Sequence, residues 1–278
     1  MEGSMKRAHL LVVLMAIITM ILFVQPSGAA TLAGLWRFDE GTGPTVADES
    51  GESVAGQISG ATWITDDPER GTVLEFDGVD DLVTIDDFVT ELSHGSFTIA
   101  FWAKLPVGNG GALIAKDDGD AGWDGGEKQL WFGDGSDCCD GEFPGFVGNQ
   151  NAYLISDTAL GIPGWHHVAL VWTYDPDGVS SGAWYVDGNE TGLGVSSYQA
   201  ITADNPSDTV KIGPDISNEA EHNFNGLLDD LAFFNDALTS SEVIQVMGGE
   251  FSSFTVMIFA NDFESGDTSR WDAVVGGV

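Results

Sequence analysis

The stretch Phe97-Thr-Ile-Ala-Phe-Trp-Ala-Lys104 carries apolar residues on both alternating parities. A strand of that kind is covered on both faces, so it belongs at the centre of a sheet rather than at its edge. Val168-Ala-Leu-Val-Trp172 repeats the pattern. Around these two, short runs rich in Val, Ile, Phe and Trp recur between clusters of Gly, Asp, Asn and Pro. They are Gly34 to Phe38, Val73 to Phe76, Leu82 to Ile85, Ala112 to Lys116, Gln129 to Phe132, Gly145 to Gly148, His166 to Tyr174, Ala183 to Val186, Val210 to Ile212 and Gly226 to Phe234. Many short strands punctuated by turn residues describe an all-β sandwich, not alternating strands and helices. Asp175-Pro-Asp-Gly178 and Asp187-Gly188 supply turns on either side of Trp184-Tyr185. One helix is predicted after residue 30. Thr239-Ser-Ser-Glu242 is a capping box, Val243, Ile244, Val246 and Met247 form an apolar face, and Gly248-Gly249 ends it.

The chain has 278 residues, 43% of them apolar, enough for a sizeable buried core. Nine Lys and Arg face 44 Asp and Glu, a net charge of −35 that repels phosphate backbones and anionic lipid and excludes nucleic acid as a partner. At the N-terminus Lys6-Arg7 precedes an apolar run from Ala8 to Val24, then Gly28-Ala29-Ala30. Residues 1–30 read as a cleaved signal peptide, with an uncleaved anchor as the alternative and the only route to a membrane. Removing Glu2, Lys6 and Arg7 with it leaves 7 basic and 43 acidic residues, a net charge of −36 on a secreted, extracellular or periplasmic chain. Cys138 and Cys139 are adjacent and cannot staple distant parts of a fold; the pair closes a vicinal disulfide, stays reduced or links two chains. Residues 31–250 are expected to form one domain. Residues 251–278, with Phe254-Thr-Val-Met-Ile-Phe259, read as an extra strand or as the truncated start of a second module.

The order of the pieces resembles the concanavalin A-like jelly rolls of the laminin G and pentraxin type. The segments that carry the resemblance are Gly34-Leu-Trp-Arg-Phe-Asp-Glu-Gly41, Phe76-Asp-Gly-Val-Asp-Asp81, Phe97-Thr-Ile-Ala-Phe-Trp102, Gly164-Trp-His-His-Val168, Trp184-Tyr-Val-Asp-Gly188, Val210-Lys-Ile-Gly213, and Phe224-Asn-Gly-Leu-Leu-Asp-Asp230 with Ala237-Leu-Thr239 and Glu242. The resemblance implies an all-β jelly-roll sandwich with one short C-terminal helix, used outside the cell to recognise sugars, proteins or lipids, often with calcium at the rim. In pentraxins the calcium ligands come from the loop after the strand matching Leu113 to Lys116 and from the segment after the strand matching Val210 to Gly213. The first place here holds Asp117, Asp118, Asp120 and Asp124, and the second holds Asp215. Ser217 stands where a further carboxylate is expected, so the two-calcium pattern is not intact.

Calcium takes six to eight oxygens, which loops dense in Asp and Gly supply without strict spacing. Asp117, Asp118 and Asp120 with Asp215 form one expected calcium site, and Asp39 with Asp229, on early and late strands, a second. Sugar binding needs an aromatic plate with polar groups beside it. Trp123, Asp124, Lys128 and Trp131 are the expected ligand-binding residues, whereas Trp36, Trp102, Trp172 and Trp184 lie in strand patterns and read as core. His166-His167 precedes a core strand without a spaced metal partner and reads as structural. Ser180 in Gly178-Val-Ser-Ser-Gly182 matches a nucleophile-elbow pattern by chance, because it sits in a hairpin loop. A sandwich hydrolase needs two carboxylates flanking the scissile bond, typically as Glu-x-Asp-x-x-Glu on one strand, and that run is absent. The expectation is a non-catalytic extracellular module that binds glycan, with calcium as a stabilising ion. A structural or adhesive surface module that binds extracellular protein is the first alternative, and a polysaccharide-degrading hydrolase or lyase the second.

Overall fold

The computed structural model describes residues 30–51, 55–86, 92, 95–106, 110–117, 126–135, 139, 141–149, 152–161, 163–177, 180–196, 208–214, 216 and 222–256. They form two antiparallel sheets. The strands are β1 (Thr31–Trp36), β2 (Thr45–Val46), β3 (Gly56–Ser59), β4 (Thr62–Asp67), β5 (Gly71–Asp77), β6 (Leu82–Ile85), β7 (Phe97–Lys104), β8 (Gly111–Asp117), β9 (Lys128–Gly133), β10 (Phe143–Asn149), β11 (Ala152–Ser156), β12 (Trp165–Thr173), β13 (Ser181–Val186), β14 (Asn189–Glu190), β15 (Leu193–Ser196), β16 (Thr209–Ile212), β17 (Asn225–Phe234) and β18 (Thr255–Val256). The helix, α1, covers Ser240–Met247. The first sheet runs β14-β13-β12-β7-β17-β1-β18, with β5 beside the opening half of β17 and β4 beside β5. The second runs β15-β11-β10-β9-β8-β16-β6-β3-β2.

The core lies between the sheets, where one parity of each strand meets the other. Phe97, Ile99 and Phe101 of β7, Val168, Leu170 and Trp172 of β12, and Leu228, Leu231 and Phe233 of β17 face Leu130 and Phe132 of β9, Phe146 of β10 and Ile212 of β16. Aromatic edges knit the layers: Phe101 meets Phe132 at 6.1 Å and Trp36 meets Phe233 at 6.0 Å between ring centroids. Trp184 donates its indole N–H to Leu154 O at 3.1 Å and ties the first sheet to the second at one edge. Trp36, Trp172 and Trp184 are core as expected. Trp102 is not: its parity in β7 points it outward, next to Lys104.

The central strands β7 and β12 are covered on both sides, as their double apolar parity requires. Over Ala100, Ala169 and Ala232 lies α1, which inserts Val243 and Val246. Its capping box is complete, with Glu242 N donating to Thr239 Oγ1 at 3.3 Å and Thr239 N donating to Glu242 Oε2 at 2.7 Å. Asp187 and Gly188 both take positive φ, 50° and 73°, in the tight β13–β14 turn where Gly carries no steric penalty. Beyond the helix, a 3-10 turn at Phe251–Ser253 leads into β18, which pairs parallel to β1 (Thr31 with Thr255). Phe251 and Phe254 are buried against the helix layer, and Phe254 meets Phe234 at 4.9 Å. Thr255–Val256 is thus the last described strand of the first sheet. The free edge of β1 is closed by a loop: Leu35 N donates to Asp48 Oδ1 and Glu49 N to Leu35 O.

Candidate functional site

On the second sheet, residues that alternate with the core point outward and line up across strands. One row is Ile155, Gly145, Trp131 and Ala112; the next is Tyr153, Val147, Gln129, Ala115, Lys211, Thr84 and Gln57. The face thus grades from aromatic at β11 to polar at β3. Trp131, expected to present its ring, is only 2% exposed. It lies against Ala112, Cys139, Val147 and Ile155, with Tyr153 edge-on at 6.2 Å, and the absence of a side chain at Gly145 leaves room for its ring. What this face shows to solvent is the rim of that cluster, Phe143 and Tyr153, both half-buried. Lys128, paired with the expected plate, shares the inward parity of Leu130 and Phe132. Its ammonium is buried at the end of the sandwich, donating to Gly126 O and Glu127 O, so it is not placed to meet a ligand.

The remaining expected residues divide. Trp123, Asp124, Asp118, Asp120, Asp215 and Cys138 lie outside the described residues. Cys139 is buried, disulfide-bonded, and accepts a contact from Gln129 Nε2 to its Sγ at 3.9 Å. Asp117 is buried beside Lys211, whose Nζ is 2.6 Å from Oδ1, so a protein cation already faces this carboxylate. His166 places Nδ1 at 2.8 Å from Asp187 Oδ2 and Nε2 at 2.8 Å from Gly161 O, a structural role. Ser180 Oγ accepts from Asp175 N within its loop.

The outward face of the first sheet holds a second cluster, which sequence reading missed. Beyond α1, neighbouring strands place His167, Trp102 and Asp229 side by side. The β4–β5 hairpin bends over them and its tip docks there. Arg70 sets its guanidinium 4.5 Å above the Trp102 ring, with Nε 2.5 Å from Asp229 and Nη2 2.5 Å from Asp230. Asp67, at the same tip, accepts the Trp165 indole N–H at 3.0 Å and faces Lys104 at 3.4 Å. Burial raises the Asp67 pKa, but hydrogen bonds from Glu69 N, Arg70 N, Trp165 and Lys104 outweigh it and hold the carboxyl below the usual range. Burial and the neighbouring Asp230 push Asp229 up to about 7 against the pull of Arg70. Burial likewise lowers His167 to about 4. Trp102 Nε1, both His167 nitrogens and Asp229 Oδ1 are buried without a hydrogen-bond partner among the described residues. Of the expected calcium pair Asp39 and Asp229, each faces a cation of the protein: Arg70 holds Asp229, while Asp39, 62% exposed, faces Arg37 at 3.6 Å. The available signal was Arg70 itself, one of only nine basic residues, set in the turn Asp67-Pro-Glu-Arg-Gly71.

Among the described residues, Asp77, Asp80 and Asp81 are the group whose carboxylate oxygens converge, within 4.8 Å of one another. Two of these oxygens shape the turn, Asp77 Oδ1 accepting from Val79 N and Asp81 Oδ2 from Asp77 N. Burial, with the charges of Asp77, Asp80 and Glu75, raises the Asp81 pKa despite the hydrogen bond from Asp77 N. Closely spaced carboxylates with no ion pair to a basic side chain among the described residues fit a hard cation such as calcium.

Two antiparallel sheets enclosing one core, with a helix on an outer face, make this a β-sandwich of the jelly-roll class. The family model described as the concanavalin A-like lectin/glucanases superfamily matches residues 77–244, and the chain belongs to that superfamily. No curated protein matches it. Among solved structures, it is similar to domain 4 of AbnA, a GH43 extracellular arabinanase from Geobacillus stearothermophilus, solved in complex with arabinotriose. The TM-score is 0.55 and the identity 15%, over 78% of this chain and 98% of that one. It is also similar to the binding domain of botulinum neurotoxin serotype G, with TM-score 0.57, 13% identity and 79% of this chain covered. That match spans 51% of the toxin domain. At such identities the likeness is one of fold.

Proposed function

We propose that this chain is an exported, non-catalytic glycan-binding module whose contact surface is the outward face of the second sheet. The observation that carries the reading is the half-buried pair Phe143 and Tyr153, seated on the Trp131 cluster and continued along the same face by the polar residues Thr84 and Gln57. Aromatic faces take the apolar side of a sugar ring, and polar side chains on a rigid sheet meet its hydroxyls. Superfamily membership and the arabinotriose in the AbnA domain 4 structure support the same reading. Calcium is proposed as a stabilising ion held by Asp77, Asp80 and Asp81 rather than by Asp117 or Asp229, which face Lys211 and Arg70.

The test is binding of the purified chain from residue 31 onward to a panel of immobilised polysaccharides, with reducing-sugar release measured in parallel. Binding without release supports the reading. Release makes the chain an enzyme, and capture of an extracellular protein with no glycan bound favours an adhesive module. Export is tested by the N-terminal sequence of protein recovered outside the cell, expected to start near residue 31.

A further inference from the structure

We infer that the ligands of this surface are uncharged glycans, and that polymers carrying carboxylate or sulfate groups are rejected. The inference rests on the glycan reading above and names the ligand class within it. Acidic sugars are held by cations, above all by the bidentate guanidinium fork of arginine or the ammonium of lysine. The chain has nine such side chains. Lys6, Arg7 and Arg270 lie outside the described residues, the first two within the expected signal. The other six are all tied down. Arg37 faces Asp39 and Asp230, Arg70 bridges Asp229 and Asp230, Lys104 faces Asp67, and Lys211 faces Asp117 at 2.6 Å. Lys116 and Lys128 are buried.

Sequence extends this to the segments that the structure does not describe within the sandwich. Residues 52–54, 87–91, 93–94, 107–109, 118–125, 136–138, 140, 150–151, 162, 178–179, 197–207, 215 and 217–221 contain no Lys or Arg, and several are acidic, including Asp118-Gly-Asp120 and Glu219-Ala-Glu221. His166 engages both ring nitrogens and His167 is buried, so neither offers a free cationic donor. An anionic polymer therefore meets a chain of net charge −35 in which no Lys or Arg among the described residues is left exposed and unpaired, and such like-charge contacts are penalised on approach and on docking. Uncharged sugars need no counter-charge. Carboxylates and amides such as Gln57 accept and donate to hydroxyls.

The experiment is affinity electrophoresis of the mature chain in gels containing arabinan, β-1,3-glucan or cellulose derivatives without charge, and in gels containing polygalacturonate, alginate or heparin, all with chelator present. The expected result is retardation by at least one uncharged polymer, unchanged on adding salt, and none by the acidic set. Retardation by an acidic polymer in chelator overturns the inference while leaving glycan binding in place. Retardation by no polymer of either kind removes the glycan reading itself, and the inference with it.

Discussion

Asp229 and His167 sit on either side of Trp102, and their titrations act on stability in opposite senses. Asp229 rises from 3.8 to about 7, so its contribution is complete below pH 3.8 and is lost as pH climbs toward 7. His167 falls from 6.5 to about 4, so its contribution is present above 6.5 and is lost as pH drops toward 4. Each shifted unit corresponds to about 1.4 kcal/mol. The two therefore carry roughly 4 and 3 kcal/mol of pH dependence, and between about pH 4 and 6.5 they cancel. Neither charge is a main cause of the other's shift, so single substitutions separate them. Asp229→Asn keeps a hydrogen-bond partner for Arg70 and leaves the histidine alone, so its stability relative to the parent rises with pH by about 3 kcal/mol over that window. His167→Phe leaves the carboxyl alone, and its relative stability falls with pH by a similar amount, about 3 kcal/mol. Urea unfolding followed by tryptophan fluorescence at half-unit pH steps measures both, with a constant m-value as the check on two-state behaviour. Difference curves that stay flat in both variants would refute the account, since the remaining carboxylates are common to all three proteins.

Arg70→Met leaves Asp229 and Asp230 buried without their guanidinium, and stability at pH 8 is expected to drop by about 3–5 kcal/mol, read from the same unfolding curves. Thr239→Ala removes the capping hydroxyl that closes the start of α1 and is expected to cost about 1 kcal/mol, with no change in polysaccharide binding. If calcium is held at Asp77, Asp80 and Asp81, calcium raises the thermal midpoint above its value in chelator and magnesium does not; Asp80→Asn abolishes the rise. A calcium response that survives Asp80→Asn would move the ion elsewhere.

The sandwich was legible because its strongest signals are local. The double apolar parity of Phe97–Lys104 put β7 at the centre of its sheet, and Thr239 with Glu242 announced α1. Strands β3 and β4 were not legible, since Gly56–Ser59 and Thr62–Asp67 carry one or two apolar residues each and gain their place from partners far along the chain. Trp102 was misread for a related reason. When both parities of a strand are apolar, pattern alone does not say which faces the core, and only register with β12 and β17 shows that Trp102 points outward beneath Arg70. Trp131 was the converse case, outward by parity yet buried against Cys139, Ala112, Val147 and Ile155. The basic partners of Asp117 and Asp229 were not legible, because Lys211 and Arg70 lie 94 and 159 residues away along the chain.

The most direct test of glycan recognition on the second sheet is isothermal titration of the bound polysaccharide against the parent chain and Tyr153→Ala, with thermal midpoints recorded for both. Loss of binding in a variant that still unfolds cooperatively near the parent midpoint is the predicted result. Equal affinity in the two proteins would contradict the assignment of that face.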